Sequence, residues 1–155
     1  MSLNKEFEST GNWLFKHRSF LPLIILPFLF YLLSGSIPDN LECILLYSGL
    51  IISFLGEGIR IFTVAFTPAG TSGRNTKQQL ANTLNITGIY SLLRHPLYLG
   101  NFFIFLGPFI FTGNVYGITI FILIFWLYYE RIMFAEEAFL IYKFENKYSE
   151  WANNT

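Results

Sequence analysis

Four apolar runs, parted by short polar turns and one long polar stretch, set the pattern of this chain. They fall at about 20–36, 41–66, 98–112 and 115–130. Runs of this kind read as membrane-spanning helices. The first is short for a hydrocarbon core of about 30 Å unless its helix begins nearer Trp13. Its Pro22 and Pro27 are tolerable where neighbouring helices or 3₁₀ turns cover the freed carbonyls. The second would run roughly 39 Å at 1.5 Å per residue. The third is broken by Gly107-Pro108, and Gly113-Asn114 joins it to the fourth, so these two predict an antiparallel helix hairpin. Beyond the fourth run Phe134, Ala138, Ile141 and Phe144 recur at helical spacing, which predicts a charged amphipathic helix over 130–148. The sequence reaches Trp151 directly after it, with no closing element expected. The expected architecture is all-α: one integral membrane domain over 1–155, with about four transmembrane helices and a C-terminal amphipathic helix.

The polar stretches complete the outline. Residues 1–19 mix Lys5, Glu6, Glu8, Lys16, His17 and Arg18 with Trp13 and Phe15, the composition of an interfacial lead-in with an aromatic anchor. SGSIPDN, 34–40, is a turn by composition. TPAGTSGRNTKQQLAN, 67–82, is a loop that turns helical near 77–81. Its SGRNTK segment lacks the phosphate-loop pattern and reads as a mobile lid or a plain linker.

Composition and charge sharpen this picture. Of 155 residues, 53% are hydrophobic and only 13% charged, against about 25% charged in a soluble domain. Zero net charge leaves no footprint for nucleic acid. The single cysteine, Cys43, packs as a small hydrophobe, and no cleavage pattern of a signal peptide follows the first run. All ten Lys and Arg (Lys5, Lys16, Arg18, Arg60, Arg74, Lys77, Arg94, Arg131, Lys143, Lys147) fall on one side of a four-span topology. The two opposite turns carry none. By the positive-inside rule both termini and the loop 67–95 are cytoplasmic, in a multi-pass membrane protein. The Asn85-Ile86-Thr87 and Asn153-Asn154-Thr155 sequons then face the cytosol as chance matches.

The chemistry concentrates in LNITGIYSLLRHPLYLGN, 84–101. Arg94, His95 and Tyr98 put a guanidinium, an imidazole and a phenol within five residues. Pro96 bars His95 from the α region and is suited to the first position of a helix. Arg94 and His95 therefore stand at a helix N-terminus, where free N–H groups and the dipole favour an anion. Gly100, one turn on, leaves room for close approach to the backbone. Ionisable groups at membrane depth default to a functional reading. Three sets meet on the cytoplasmic side: Glu57/Arg60, Arg94/His95/Tyr98 and Glu130/Arg131/Glu136/Glu137, with Tyr90, Tyr98 and Trp126 as aromatic walls. Cations, carboxylates and aromatic faces together suit a zwitterionic ligand with a positive centre. The plainer readings are lipid-headgroup anchoring by Arg94-His95, an intrahelical Glu57/Arg60 pair and a solvated Glu136/Glu137 face.

These residues resemble the membrane methyltransferase family that includes isoprenylcysteine carboxyl methyltransferase and the phospholipid N-methyltransferases. The family pattern G-x-Y-x-x-x-R-H-P-x-Y-x-G is met at Gly88, Tyr90, Arg94, His95, Pro96, Tyr98 and Gly100. Its E-E pair ahead of L-x-x-x-F-G-x-x-Y is met at Glu136, Glu137, Leu140, Phe144 and Tyr148. GEGIRIFTVAF, 56–66, is similar to the family's Gly/Arg-bearing helix. Two positions depart from the pattern: F-G becomes Phe144-Glu145, and Arg131 sits one residue early. The resemblance implies S-adenosyl-L-methionine as cofactor, held by Tyr90, Arg94, His95, Pro96, Tyr98, Gly100, Glu136 and Glu137. It implies Arg131 and Glu137 as the catalytic pair that orients and activates the acceptor. Membrane lipids and a lipid-like methyl acceptor are the expected partners, with no metal and no nucleic acid. An NADPH-dependent sterol-reductase-like enzyme is the second reading, since those proteins carry a similar short motif. The E-E pair and the R-H-P order favour the methyltransferase. A non-catalytic membrane scaffold or lipid-binding protein is the third.

Overall fold

A computed structural model describes residues 3–35, 37, 39–67 and 81–155. Six α-helices follow in order: α1 Leu3–His17, α2 Leu21–Leu33, α3 Asp39–Ala65, α4 Pro96–Phe111, α5 Val115–Phe144 and α6 Asn146–Asn154, with a 3₁₀ turn at Gly88–Ser91 before α4. No strand occurs among the described residues. The proposed lid or linker SGRNTK and most of 77–81 lie outside them, as do two residues of the 34–40 turn.

Two of the four expected spans, α3 and α5, are long and apolar enough to cross a bilayer. At 27 and 30 residues they extend about 40 and 45 Å. The 13-residue α2 and the 16-residue α4 are apolar but shorter, near 20 and 24 Å by the same rise of about 1.5 Å per residue. Length therefore divides the four into two long enough to span and two that fall short. Ile51, Phe54, Ile61 and Phe62 of α3 point outward and are more than half exposed, as apolar side chains do where the surroundings are lipid.

The seam between α3 and α4 is built from missing side chains. Gly49 lies against Gly107 and Gly56 against Gly100, so the helices run antiparallel with both glycine pairs two turns apart. A Cβ at Gly49 would stand 2.6 Å from the carbonyl oxygen of Gly107, and one at Gly56 2.6 Å from that of Gly100. Between the pairs the Ser53 hydroxyl donates to the Ile104 carbonyl at 3.1 Å. Small residues at such a seam let two backbones approach where lipid supplies no hydrophobic drive.

Three features differ from the sequence reading. The lead-in 1–19 is largely a helix: α1 docks on α5, with Gly11 seated against the Arg131 carbonyl and Ala135 and Phe7 edge-on to Phe134 at 5.7 Å. Scattered charges hid that helix, because its buried face is narrow. The amphipathic helix expected over 130–148 is instead the end of α5, and it stops at Phe144. Glu145 turns the chain with φ +46° and ψ −122°, and α6 then closes back on the site. The hairpin of α4 and α5 forms as expected, with Gly113 at φ +64° and the Asn114 side chain capping α5 by accepting from Gly117 N–H at 2.9 Å.

Phe109, Phe121, Phe125 and Tyr129 make the core, with α2 covering it through Ile25, Phe28, Leu29 and Leu32. On α5 these rings recur every four residues, one face of a helix. Centroid separations are 4.5 Å for Phe109–Phe121, 5.6 Å for Phe121–Phe125 and 4.2 Å for Phe125–Tyr129. The column continues to Tyr98 at 4.7 Å and on to His95 at 5.7 Å. It connects the apolar interior to the polar corner.

Candidate functional site

Pro96 opens α4 as its first residue and His95 caps it with φ −129° and ψ 59°, as the proline requires. From there the imidazole reaches α5, where Glu136 and Glu137 take one ring nitrogen each. Nε2 donates to Glu137 Oε1 at 3.1 Å, and Nδ1 lies 3.7 Å from Glu136 Oε2. Adjacent residues on a helix point about 100° apart, which lets two consecutive carboxylates clasp one ring from both sides. Burial alone would push the His95 pKa down; the hydrogen bonds and charges of Glu136 and Glu137 outweigh it and raise it above 6.5. The two carboxylates thereby favour the protonated ring.

Arg94 stands beside this clasp. One guanidinium nitrogen lies 3.7 Å from Glu137 Oε1, and another donates to the Ala152 carbonyl at the end of α6. Trp151 of α6 donates its indole N–H to the Tyr90 carbonyl at 2.9 Å. The first half of the motif 88–100 is thus tied to α6 at Tyr90 and Arg94, which the sequence did not foretell. Burial, then the charge of Glu136, raises the Tyr90 pKa. Tyr148 is 2% exposed, and its hydroxyl, close to Glu137, makes no hydrogen bond of good geometry among the described residues. Its pKa is raised, first by burial and then by the nearby Glu137 charge.

Of the expected site residues, Tyr90, Arg94, His95, Pro96, Tyr98, Glu136 and Glu137 therefore converge. Gly100 does not face the clasp: the Arg60 side chain and the Gly56 carbonyl occupy the space beside it, a Cβ there standing 2.5 Å from Arg60 Cγ. Arg131 points to α1, its guanidinium 4.5 Å from the centre of the Phe7 ring. Trp126, expected as an aromatic wall, is 63% exposed, and Glu57 is exposed. Tyr129 stands in the wall instead. Tyr148 was legible only as a motif letter, while Asn101 and Trp151 carried no signal in the sequence. Among the described residues no group of three or more His, Cys, Asp or Glu is placed to hold a metal ion.

A family model described as phospholipid methyltransferase matches residues 44–147. The chain is 34% identical over 108 residues to a Saccharomyces cerevisiae protein-S-isoprenylcysteine O-methyltransferase, covering 68% of the chain and 44% of that protein. It is 30% identical over 108 residues to the Schizosaccharomyces pombe protein of the same name, covering 68% and 46%. It is likewise 30% identical over 112 residues to a probable protein-S-isoprenylcysteine O-methyltransferase of Oryza sativa subsp. indica, covering 68% and 56%. The chain thus matches about half the length of these relatives. No solved structure matches.

Proposed function

The chain belongs to the phospholipid methyltransferase family, and from that premise we propose that it is an S-adenosylmethionine-dependent methyltransferase of a lipid-like acceptor. The observation that carries the reading is the clasp itself: one imidazole between two carboxylates, a guanidinium beside it and a tyrosine stacked on it.

The residues fit that cofactor on chemical grounds. It carries a carboxylate, an ammonium, ribose hydroxyls and an aromatic base on a sulfonium centre. Arg94 and the N-terminus of α4 would take the carboxylate. Glu136 and Glu137 would take the ammonium or the hydroxyls, and the rings of Tyr90 and Tyr98 the cationic and aromatic parts. The Tyr148 hydroxyl beside Glu137, without a hydrogen bond of good geometry among the described residues, would be free to turn to a polar ligand. When bound, the sulfonium supplies an electrophilic methyl group. Such a transfer asks the protein for orientation and a dry approach more than for a strong base. His95 would hold the clasp in register, and Glu137 would orient the acceptor. Arg131, stacked on Phe7, would act as a positioning residue by pinning α1 against α5.

A cavity of about 110 Å³ between α2, α4 and α5 supports an amphiphilic acceptor. Ile24, Ile25, Phe105, Ile124 and Phe125 line it, and Tyr129 carries it to the ring of Tyr98. The relatives' names point the same way, to a cysteine bearing an isoprenyl chain. The charge distribution supports a multi-pass topology with the site and both termini cytoplasmic.

Methyl transfer from labelled cofactor, in bilayer nanodiscs, onto N-acetyl-S-farnesylcysteine or phosphatidylethanolamine tests the reaction. Label is expected in one of the two lipids. Label in neither, from protein that binds the cofactor, would contradict the acceptor class. Cys43, near the start of α3, tests the topology. An impermeant maleimide should label it only from the side opposite the termini.

A further inference from the structure

The pair Glu57/Arg60 at membrane depth was left without a role by the site, and the structure divides it. Both residues are exposed, but only the Arg60 side chain lies back along α4. Its aliphatic stem crosses α4 where Gly100 has no side chain. Its guanidinium donates to Asn101 Oδ1 at 2.9 Å. An arginine can only donate, which fixes the Asn101 amide the other way round. Asn101 Nδ2 then donates to the Tyr129 hydroxyl at 3.1 Å. Tyr129 lies against Tyr98 at 4.7 Å, and Tyr98 stacks within 18° of parallel on His95.

We infer that Arg60 and Asn101 are positioning residues for the site: a polar relay from α3 through α4 to Tyr129 of α5 that sets the plane of Tyr98 and hence of His95. The relay joins three helices whose contacts around it are glycines and aromatic rings. Apolar contact leaves a ring free to slide, because dispersion is non-directional, whereas hydrogen bonds of defined length fix its height and tilt. The motif glycine, Gly100, acquires a reason in the same geometry: any Cβ would displace the arginine stem that starts the relay. The inference rests on the methyltransferase reading for its catalytic consequence, but the alignment of His95 can be read without any cofactor.

The test therefore uses two readouts on the detergent-solubilised full chain. The first is the nitrogen resonances of the His95 ring, recorded in a His17→Gln background for single-site assignment. Asn101→Leu should shift them although residue 101 does not touch His95, and Tyr129→Phe should shift them the same way. Asn101→Asp, which can accept from Arg60 and from the tyrosine hydroxyl, should restore them. The second readout is methyl transfer at saturating cofactor. Asn101→Leu should lower kcat by about tenfold or more, as misplacement at a distance does, with a smaller change in KM for the lipid. Unmoved His95 resonances in the folded Leu and Phe variants would overturn the relay outright. A lowered Tm with His95 and kcat unchanged would make Asn101 merely structural and overturn it equally. Displaced and rescued resonances in a protein that neither binds nor turns over the cofactor would support the relay and remove the methyltransferase reading alone.

Discussion

The seam between α3 and α4 and the corner around His95, where α4 meets α5, hold α4 to its two neighbours by opposite means. At the seam little protrudes: Gly49, Gly56, Gly100 and Gly107 bring two backbones into contact, Ser53 hydrogen-bonds across the middle, and the Arg60 stem crosses at one end. At the corner everything protrudes, and α4 meets α5 through an imidazole, two carboxylates and a guanidinium. The seam is stiff because any added atom collides. The corner is adjustable, since Glu137 is 29% and Arg94 38% exposed on their side chains, and partly solvated ion pairs contribute little to stability. The difference assigns tasks: the seam sets the frame and the corner is left to bind.

The sharpest way to break that contrast is a methyl group. Gly56→Ala places a Cβ within 3 Å of Gly100 O, Ile104 N and Phe103 Cβ, and should cost about 3 kcal/mol, the upper range for overpacking. Gly58→Ala, two residues along the same helix with nothing within 4 Å, should instead gain about 0.5 kcal/mol from helix propensity. Thermal unfolding in detergent separates the two. Equal effects would mean that helix propensity, not the seam, decides.

Next in size is the response of the corner to pH. The His95 pKa is raised above its ordinary 6.5, so the clasp's contribution is fully present below that value. It is lost as pH rises through the elevated folded value. Melts between about pH 6 and pH 9 should show Tm falling in the wild type more than in His95→Gln, whose profile should be flatter. Parallel profiles would remove the ion pair.

The smallest effect lies at the hinge of α5 and α6. Glu145 adopts a positive φ where the family pattern has glycine, a conformation that costs a side-chain-bearing residue of order 1 kcal/mol. Glu145→Gly should therefore raise Tm by about 2–4 °C. A fall would show that the Glu145 side chain contributes more than its backbone costs.

How far the sequence could be read follows the same division. The corner was legible because its chemistry is local: Arg94, His95, Pro96 and Tyr98 are neighbours in the chain, and Pro96 alone dictates where α4 begins. The E-E pair was legible as a motif, though not the way two consecutive carboxylates clasp one ring. The seam was not legible, because Gly56 and Gly100 acquire meaning only when set opposite each other. Gly100 looked like room for a ligand and is room for Arg60. Arg131 looked like a member of the site by proximity in sequence. Six residues from Glu137 is about 120° of turn away, which sends it to Phe7. The hinge at Glu145 was visible as a departure from the pattern, and its backbone explains why glycine is favoured there.

The central claim is that the corner binds S-adenosylmethionine, and calorimetric titration of S-adenosylhomocysteine into the purified protein, beside NADPH and a His95→Ala variant, tests it most directly. Micromolar binding of the homocysteine compound, absent in the variant and with no heat from NADPH, is the result predicted. Binding of NADPH in its place, or of neither ligand by folded protein, would contradict it.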